Sequence, residues 1–291
     1  MNGTELLAER FQEHRGHLRA VAYRMLGSLG EAEEAVEETW LELSRSDPGE
    51  IPDPGGRLVI SVGRVCLDRL RARAARRADP SADAHVPDPV ITPLSPADPE
   101  QEVLYADAVG LALLVALEEL DPAERLAFVL HDMFAVPFDD IAPIVERPPA
   151  AARQLAGRAR RRVREAAPAA EPDLDRQREV LGAFLAAARA GDVEALVAVL
   201  HPDVVLRADS GAPASKVHGA RAVAEQALQF RQFADCARLA LVNGEVGIVN
   251  LPEGRPLAVA GVTVTEGRIA ALHVLADPAR LARLDLPGTA H

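Results

Sequence analysis

The sequence predicts a multidomain protein: two all-α units, the second a helix-turn-helix, followed by a C-terminal α+β domain. Three observations predict it. Apolar residues recur every three to four positions over most of residues 4–168, the spacing of amphipathic helices. A run of six prolines and five acids at 79–100 interrupts them and is too rich in breakers to pack as a helix or strand. Beyond residue 174 one long helical segment gives way to short β-like runs separated by turn signals, the order of an α+β domain.

Taken in order, Leu7, Phe11, His14, Leu18, Val21 and Met25 mark one face of a helix from Thr4. "GSLG" (27–30) breaks it. Residues 31–46 open with acids that suit a helix N-terminus and carry the stripe Ala32, Ala35, Val36, Thr39, Trp40, Leu43. "DPGEIPDPGG" (47–56) reads as a loop. A third helix follows through Leu58, Val62, Val65, Cys66 and Leu70, completing a unit at 1–78. The linker spans 79–103. In the second unit (104–168), Asp121 is the expected N-cap and Pro122 the first residue of a helix. "FAVPFDDIAPIVE" then leads to a basic helix from about Ala150, and short helix, turn and basic helix make a helix-turn-helix. The third domain (174–286) has a helix at 174–190 and the strand-like runs "DVVLRAD", "ARLALV", "VGIVN", "PLAVAGVTVT" and "RIAALHVLA".

Among 291 residues the formal net charge is −12, but its distribution is uneven. Residues 57–78 hold seven Arg against Asp68, and residues 147–168 hold seven Arg against Glu165. Residues 79–146 between them hold Arg125 against fifteen acids. Two basic islands in an acidic half suit a chain that grips a nucleic acid at two points. An Arg stripe on a helix also commonly pairs with acidic neighbours. In the second island, Ala152, Leu155, Ala159 and Val163 fall on one face, with Arg153, Gln154, Arg158, Arg161 and Arg164 on or near the opposite one. In a helix-turn-helix the start of the second helix enters the major groove. There Arg suits guanine and Gln suits adenine, so Arg153, Gln154 and Arg158 are the base-reading candidates. Arg161 and Arg164 suit phosphates.

Only Cys66 and Cys236 are present, too few for a disulfide framework or a cysteine zinc site. No metal-ligand spacing or phosphate-binding glycine motif appears, so no cofactor is expected. With no signal-peptide pattern and no apolar run near ~18 residues, the expectation is a soluble, cytoplasmic protein.

"AYRMLGSLGEAEEAVEETWLELSR" with "VGRVCLDRLRARAARR" resembles domain 2 of the extracytoplasmic-function sigma factors. "LEELDPAERLAFVLHDMFAVPFDDIAPIVERPPAAARQLAGRARRRV" resembles their domain 4. The C-terminal stretch from "FLAAARAGDVEALVAVLHPDVVLRAD" to "ADPARL" resembles a SnoaL-like cone of the nuclear transport factor 2-like class. The resemblance implies a sigma factor that directs core RNA polymerase to promoter DNA. It places Glu34, Glu37, Glu38, Trp40 and Leu41 on the β′ clamp helices, with the β flap as a further polymerase partner. It places Arg57, Arg64, Arg69, Arg71 and Arg73, with the 47–56 loop, on the melted −10 element, and the 147–168 helix on the −35 element. It further implies that Pro87 and Asp88 of the linker, with Asp209, Ser210, Gly211 and Lys216, form an intramolecular regulatory contact.

Three stretches depart from the family pattern. Arg57 stands where an aromatic is usual, Pro148, followed by Pro149, occupies the usual Ser cap position of the recognition helix, and "ADSGAPASK" (208–216) replaces a glycine-rich turn. His201, Asp203, Asp209, His218 and His273 could serve acid–base chemistry in the third domain. The fold alone does not imply it, and no catalysis is expected. A small-ligand sensor is the second reading of that domain. The alternative for the whole chain is a ligand-sensing helix-turn-helix regulator that binds DNA without polymerase. A third is an isomerase-like enzyme fused to a DNA-binding region.

Overall fold

The structure, a computed structural model, describes residues 3–45, 54–76, 85–94, 109–211 and 215–286. Of the loop expected at 47–56, residues 47–53 lie outside the described residues, as does most of the expected linker, while Pro54, Gly55 and Gly56 open a helix instead. The chain divides into two compact units, one of residues 1–78 and 116–166, the other of residues 79–115 and 167–291.

In the first unit α1 (Gly3–Leu26), α2 (Leu29–Ser44) and α3 (Pro54–Arg76) pack against one another. The periodic residues Phe11, Leu18, Val21, Met25, Val36, Val62 and Cys66 are buried. Burial pushes the Cys66 thiol up to about 12. Gly27 ends α1 with φ +72, a conformation that favours glycine. The Ser28 side chain then accepts the Glu31 N–H at 3.4 Å, so α2 starts before the acids rather than at Glu31.

The second half of this unit holds α5 (Pro122–Phe128), continued by a wider π-turn at Val129–Met133, then α6 (Phe138–Ile144) and α7 (Pro149–Ala166). Asp121 occupies the N-cap position of α5 but makes no side-chain capping bond. Before them runs α4 (Leu111–Glu118), apolar through Leu111, Leu114, Val115 and Leu117, all buried. The division between the units falls inside α4.

The sequence separates the helical segments into two domains, yet here they share one unit. Arg125, 3% exposed, explains part of this. Its Nε and Nη2 donate to the Arg24 carbonyl near the end of α1 at 3.3 and 3.2 Å. Gly63 on α3 lets Leu130 approach; a Cβ there would sit 3.0 Å from Leu130 Cδ1. Both contacts join residues far apart in sequence, which local periodicity does not reveal.

The second unit is built on α8 (Leu174–Ala190), α9 (Val193–Val199) and α10 (Ala220–Gln229) over one mixed sheet. Asp173 caps α8 by accepting the Asp175 and Arg176 N–H groups at 2.9 and 3.2 Å. The strands are β1 (Ile91–Thr92), β2 (Leu200–Asp209), β3 (Ser215–His218), β4 (Ala237–Val242), β5 (Glu245–Asn250), β6 (Ala258–Thr265) and β7 (Arg268–Leu275). Their order is β1-β4-β5-β6-β7-β2-β3; among the described residues only β2 and β7 pair in parallel. Leu181, Phe184, Leu196, Val204, Leu206, Val246, Ile248, Val262 and Leu272 fill the space between helices and sheet. By strand alternation, Arg207, Asp209, Gly261, Thr263 and His273 lie on the opposite face. The short helix α11 (Pro278–Leu281) follows β7.

One expectation fails here. Residues 85–94, predicted to be an unpacked tether, are part of this unit. Val86 and Ile91 are buried, and β1 pairs antiparallel with β4, Ile91 opposite Val242. A two-residue strand is too short to leave a periodic signal, and its stabilising partners lie more than a hundred residues away.

Candidate functional site

Two constellations stand out, one in each unit. In the first, α7 buries Ala152, Leu155, Ala156, Ala159 and Val163 and exposes Arg153, Gln154, Arg158, Arg161 and Arg164. Pro148 stands at the cap, where its carbonyl accepts the Ala151 and Ala152 N–H groups at 2.9 and 3.1 Å. Pro149 takes the first helical position, for which its fixed φ is suited. The paired prolines therefore start this helix without a side-chain cap.

The arginines of α7 are not equivalent. Arg153 lies 5.3 Å from the Phe138 ring centroid, a cation–π contact that orients it. Arg158 Nε donates to Glu124 Oε1 at 2.6 Å, and Arg162 Nη1 donates to Glu124 Oε2 at 2.9 Å. Arg160 is bound by Asp132. Glu124 and Asp132 were not among the candidates, and no local sequence pattern couples them to arginines 28 to 38 positions later. Gly157 meets nothing within 4 Å of where a Cβ would be. Gly157→Ala is accordingly expected to stabilise the protein by about 0.5–1 kcal/mol, read from the denaturant midpoint. A loss of stability would show hidden crowding at that position.

The first arginine island is partly spent inside the protein. Arg69 is shared by Glu34 and Glu38 of α2, Nη1 at 3.0 Å and Nη2 at 2.8 Å. Arg73 binds Glu31. Arg71 lies 3.6 Å from Asp68 and 3.7 Å from Glu146. Arg57 and Arg64 are exposed. Of the residues assigned to polymerase, Glu34, Glu37 and Glu38 are exposed and Leu41 is 51% exposed. Trp40 is partly buried against Phe11, ring centroids 5.0 Å apart. Glu34 and Glu38 thus meet Arg69, joining residues that the sequence reading had assigned to separate partners.

The second constellation centres on Asp209, at the end of β2, and Arg280 in α11. Arg280 Nη1 donates to Asp209 Oδ2 at 2.8 Å; Nε and Nη2 donate to Asp88 Oδ1 at 2.9 and 2.5 Å. Nη2 also donates to the Val86 carbonyl at 2.6 Å. Asp209 accepts the Val86 N–H at 3.2 Å and lies 3.0 Å from His85 Nδ1. Burial alone would raise the Asp209 pKa, but hydrogen bonds from His85, Val86 and Gly211 outweigh it and hold it at about 2. Asp209 is therefore a firm anion at neutral pH, and Arg280 binds it to the 85–88 segment. Pro87 is buried beside this network. Gly211 donates its N–H to Asp209 Oδ1 at 3.3 Å. Ser210 and Lys216 are exposed and outside the network. Arg280 and His85 are the members that sequence reasoning missed.

A second grip lies at the β4–β5 hairpin. Asn243 and Gly244 have φ of +53 and +82, the two-residue turn that Asn-Gly favours. Asn243 Oδ1 accepts the Val90 N–H at 3.0 Å, and Nδ2 donates to the Val109 carbonyl at 3.1 Å. Glu245 receives the Thr263 hydroxyl at 3.1 Å, and burial pushes its carboxyl up to about 7. Leu111 packs on Gly261, where a Cβ would come within 2.7 Å of Leu111 Cδ2.

The remaining acid–base candidates are dispersed. His201 Nδ1 accepts the Asp203 N–H at 3.2 Å within its own strand. His218 and Asp203 are exposed. His273 is fully buried opposite Arg207 and Gly261, and burial lowers its pKa to about 3.

Comparison with known proteins matches these units to a family. The family model for sigma-70 region 2 covers residues 10–76, and that for sigma-70 region 4 covers residues 110–163. The ECF RNA polymerase sigma factor SigJ of Mycobacterium tuberculosis is 40% identical, over 92% of this chain and 91% of that protein. The probable ECF RNA polymerase sigma factor SigI of the same organism is 34% identical, over 97% of each. The crystal structure of Mycobacterium tuberculosis extracytoplasmic function sigma factor SigJ superposes with a TM-score of 0.75 at 36% identity, covering 96% of this chain and 99% of that one. With two helical sigma regions in order and an α+β domain after them, the chain belongs to the extracytoplasmic-function RNA polymerase sigma factors, in the group that carries a C-terminal SnoaL-like extension.

Proposed function

We propose that this sigma factor is controlled from within, by its C-terminal domain holding the interregion segment 85–90. The observation that carries the reading is Arg280, which joins Asp88 and the Val86 carbonyl to Asp209 in one network. In this reading α7 reads the −35 element, with Arg153, Gln154 and Arg158 at bases and Arg161 and Arg164 at phosphates. The exposed arginines of α3 hold the −10 element. Glu34, Glu37, Glu38, Trp40 and Leu41 face the β′ clamp helices of polymerase, and region 4 faces the β flap.

The C-terminal domain acts as a regulator rather than an enzyme. Its helix–sheet interior is filled by Leu, Ile, Val, Phe and Ala side chains, and among the described residues exposed Asp203 and His218 stand apart from buried His273. Catalysis needs an acid and a base within reach of one substrate atom. The dispersed placement supports a binding and restraining role.

The test is in vitro transcription with purified core polymerase and the full-length protein. Initiation should depend on core, start at one position, and change in yield but not in start site when Arg280 is replaced by alanine. Tight promoter binding by the isolated chain without core-dependent initiation would sink the sigma reading. A shifted start site in Arg280→Ala would sink the purely regulatory role.

A further inference from the structure

Beyond Arg153, which lies over the Phe138 ring, the arginines of α7 occupy three chemical situations. Arg160 and Arg162 lie on the flanks of the buried face and are bound to acids. Arg160 Nε is 3.1 Å from Asp132 Oδ1, and Arg162 Nη1 is 2.9 Å from Glu124 Oε2 and 3.5 Å from Asp121 Oδ2. Arg161 and Arg164 are exposed, with no ion-pair partner among the described residues. Arg158 is intermediate. Its Nε is held by Glu124 at 2.6 Å, while its side chain stays 50% exposed.

Glu124 is itself fixed. It is 4% exposed, lies in the first turn of α5, and each of its oxygens holds one arginine. A guanidinium held at Nε is restricted in rotation, yet its terminal Nη1 and Nη2 remain as a parallel pair of donors. That pair matches guanine O6 and N7. An unrestrained arginine must lose much of its side-chain freedom on reaching a base. One already held loses less, which is affinity gained by preorganisation.

We infer that Glu124 is a positioning residue for promoter recognition, holding Arg158 by its Nε edge so that the opposite end reads a guanine. The inference rests on the proposed placement of α7 in the −35 element. It assigns Arg158 to sequence discrimination, and it assigns the non-specific phosphate attraction to Arg161 and Arg164. Arg160 and Arg162, already neutralised by acids, add little to either.

The test uses holoenzyme assembled from core polymerase and full-length protein, with templates randomised across the upstream promoter element. Transcripts are sequenced to obtain the base preference at each position, and yield is measured across salt concentrations. Arg158→Ala should flatten the preference at one base pair about tenfold. Glu124→Ala should flatten the same base pair, and the double variant should be no flatter than Arg158→Ala alone. Glu124→Gln keeps an acceptor for Nε and should retain most of the preference. Arg158→Lys keeps the charge without the fork and should lose the preference whether or not Glu124→Ala folds. Arg161→Ala should reduce the salt slope by about one without flattening any position.

Uniform loss across all templates in Glu124→Ala, with preferences intact, would reduce Glu124 to a folding role and overturn the inference. Preference retained by Arg158→Lys would overturn it as well. If Gln154→Ala still flattens a position while Arg158→Ala does not, the α7 reading stands and only the Arg158 assignment falls. If Arg158→Ala, Gln154→Ala and Arg161→Ala all leave preference and salt slope unchanged, the placement of α7 itself is wrong.

Discussion

Replacing Arg280 with alanine is expected to free residues 85–88 and to destabilise the C-terminal unit by about 3 kcal/mol. The size follows from what one guanidinium holds. Its side chain is 19% exposed, and those of Asp88 and Asp209 are 14% and 10% exposed. Removing one partner of a buried pair leaves an uncompensated charge and costs about 3–5 kcal/mol. The lower figure applies here because the group is not fully enclosed. Asp209 remains ionised in the variant, since the hydrogen bond it accepts from Gly211 does not involve the 85–88 segment.

The measurement is amide hydrogen exchange. The Val86 N–H, donated to Asp209, should exchange about a hundredfold faster, the factor that corresponds to ~3 kcal/mol. Asn243→Gly is the companion variant. It preserves a turn compatible with positive φ but removes the amide that holds Val90 and Val109. It should loosen the Val90 N–H while sparing Val86. Unchanged protection of Val86 in Arg280→Ala would mean that apolar burial of Val86 and Pro87 holds the segment by itself. The internal-restraint reading would then lose its basis.

The contrast between the two constellations shows where sequence reading stops. The face of α7 was legible because it is local: spacing within 18 residues decides which side chains are buried and which arginines are outside. β2 and β4 to β7 were legible as short apolar runs, whereas β1 and β3 were not, and Asn243–Gly244 marks a hairpin by its own chemistry. The Asp88–Arg280 pair bridges 192 positions, and Arg280 is one arginine among many in an arginine-rich chain. Composition pointed the other way, because a proline-rich acidic run looks unable to pack. Pro87 and Pro89 are buried, and the acid among them meets a cation supplied from elsewhere. The same applies to Arg125, which donates to a backbone carbonyl that no residue type announces. The family resemblance assigns Glu34 and Glu38 to polymerase, but their meeting with Arg69 depends on how α2 packs on α3.

Stability of the C-terminal unit should be nearly level between pH 4.5 and 6.5 and fall steeply below that window. Three groups on one face of the sheet decide this. Glu245 has its pKa raised by burial from an ordinary 4.5 to about 7. A carboxyl raised on folding favours the protonated protein, so its contribution is complete below pH 4.5 and is lost as pH rises to 7. His273 behaves oppositely. Burial first, and Arg207 second, lower its pKa from 6.5 to about 3, so its contribution is complete above pH 6.5 and is lost on acidification towards pH 3. Over the shared interval each slope approaches ~1.4 kcal/mol per pH unit, and the two oppose each other. Below pH 4.5 Glu245 contributes no further change. Asp209, held at about 2 from an ordinary 3.8, then adds its own loss as pH falls. Glu245→Gln separates these effects while keeping an acceptor for the Thr263 hydroxyl. It should be near neutral at pH 4.5, stabilise by about 3 kcal/mol at pH 8, and turn the level region into a rising one. Urea unfolding at half-unit pH steps reads all three features. A variant whose stability parallels the parent at every pH would mean that Glu245 is solvated and ionises normally, and that the opposing slopes have another source.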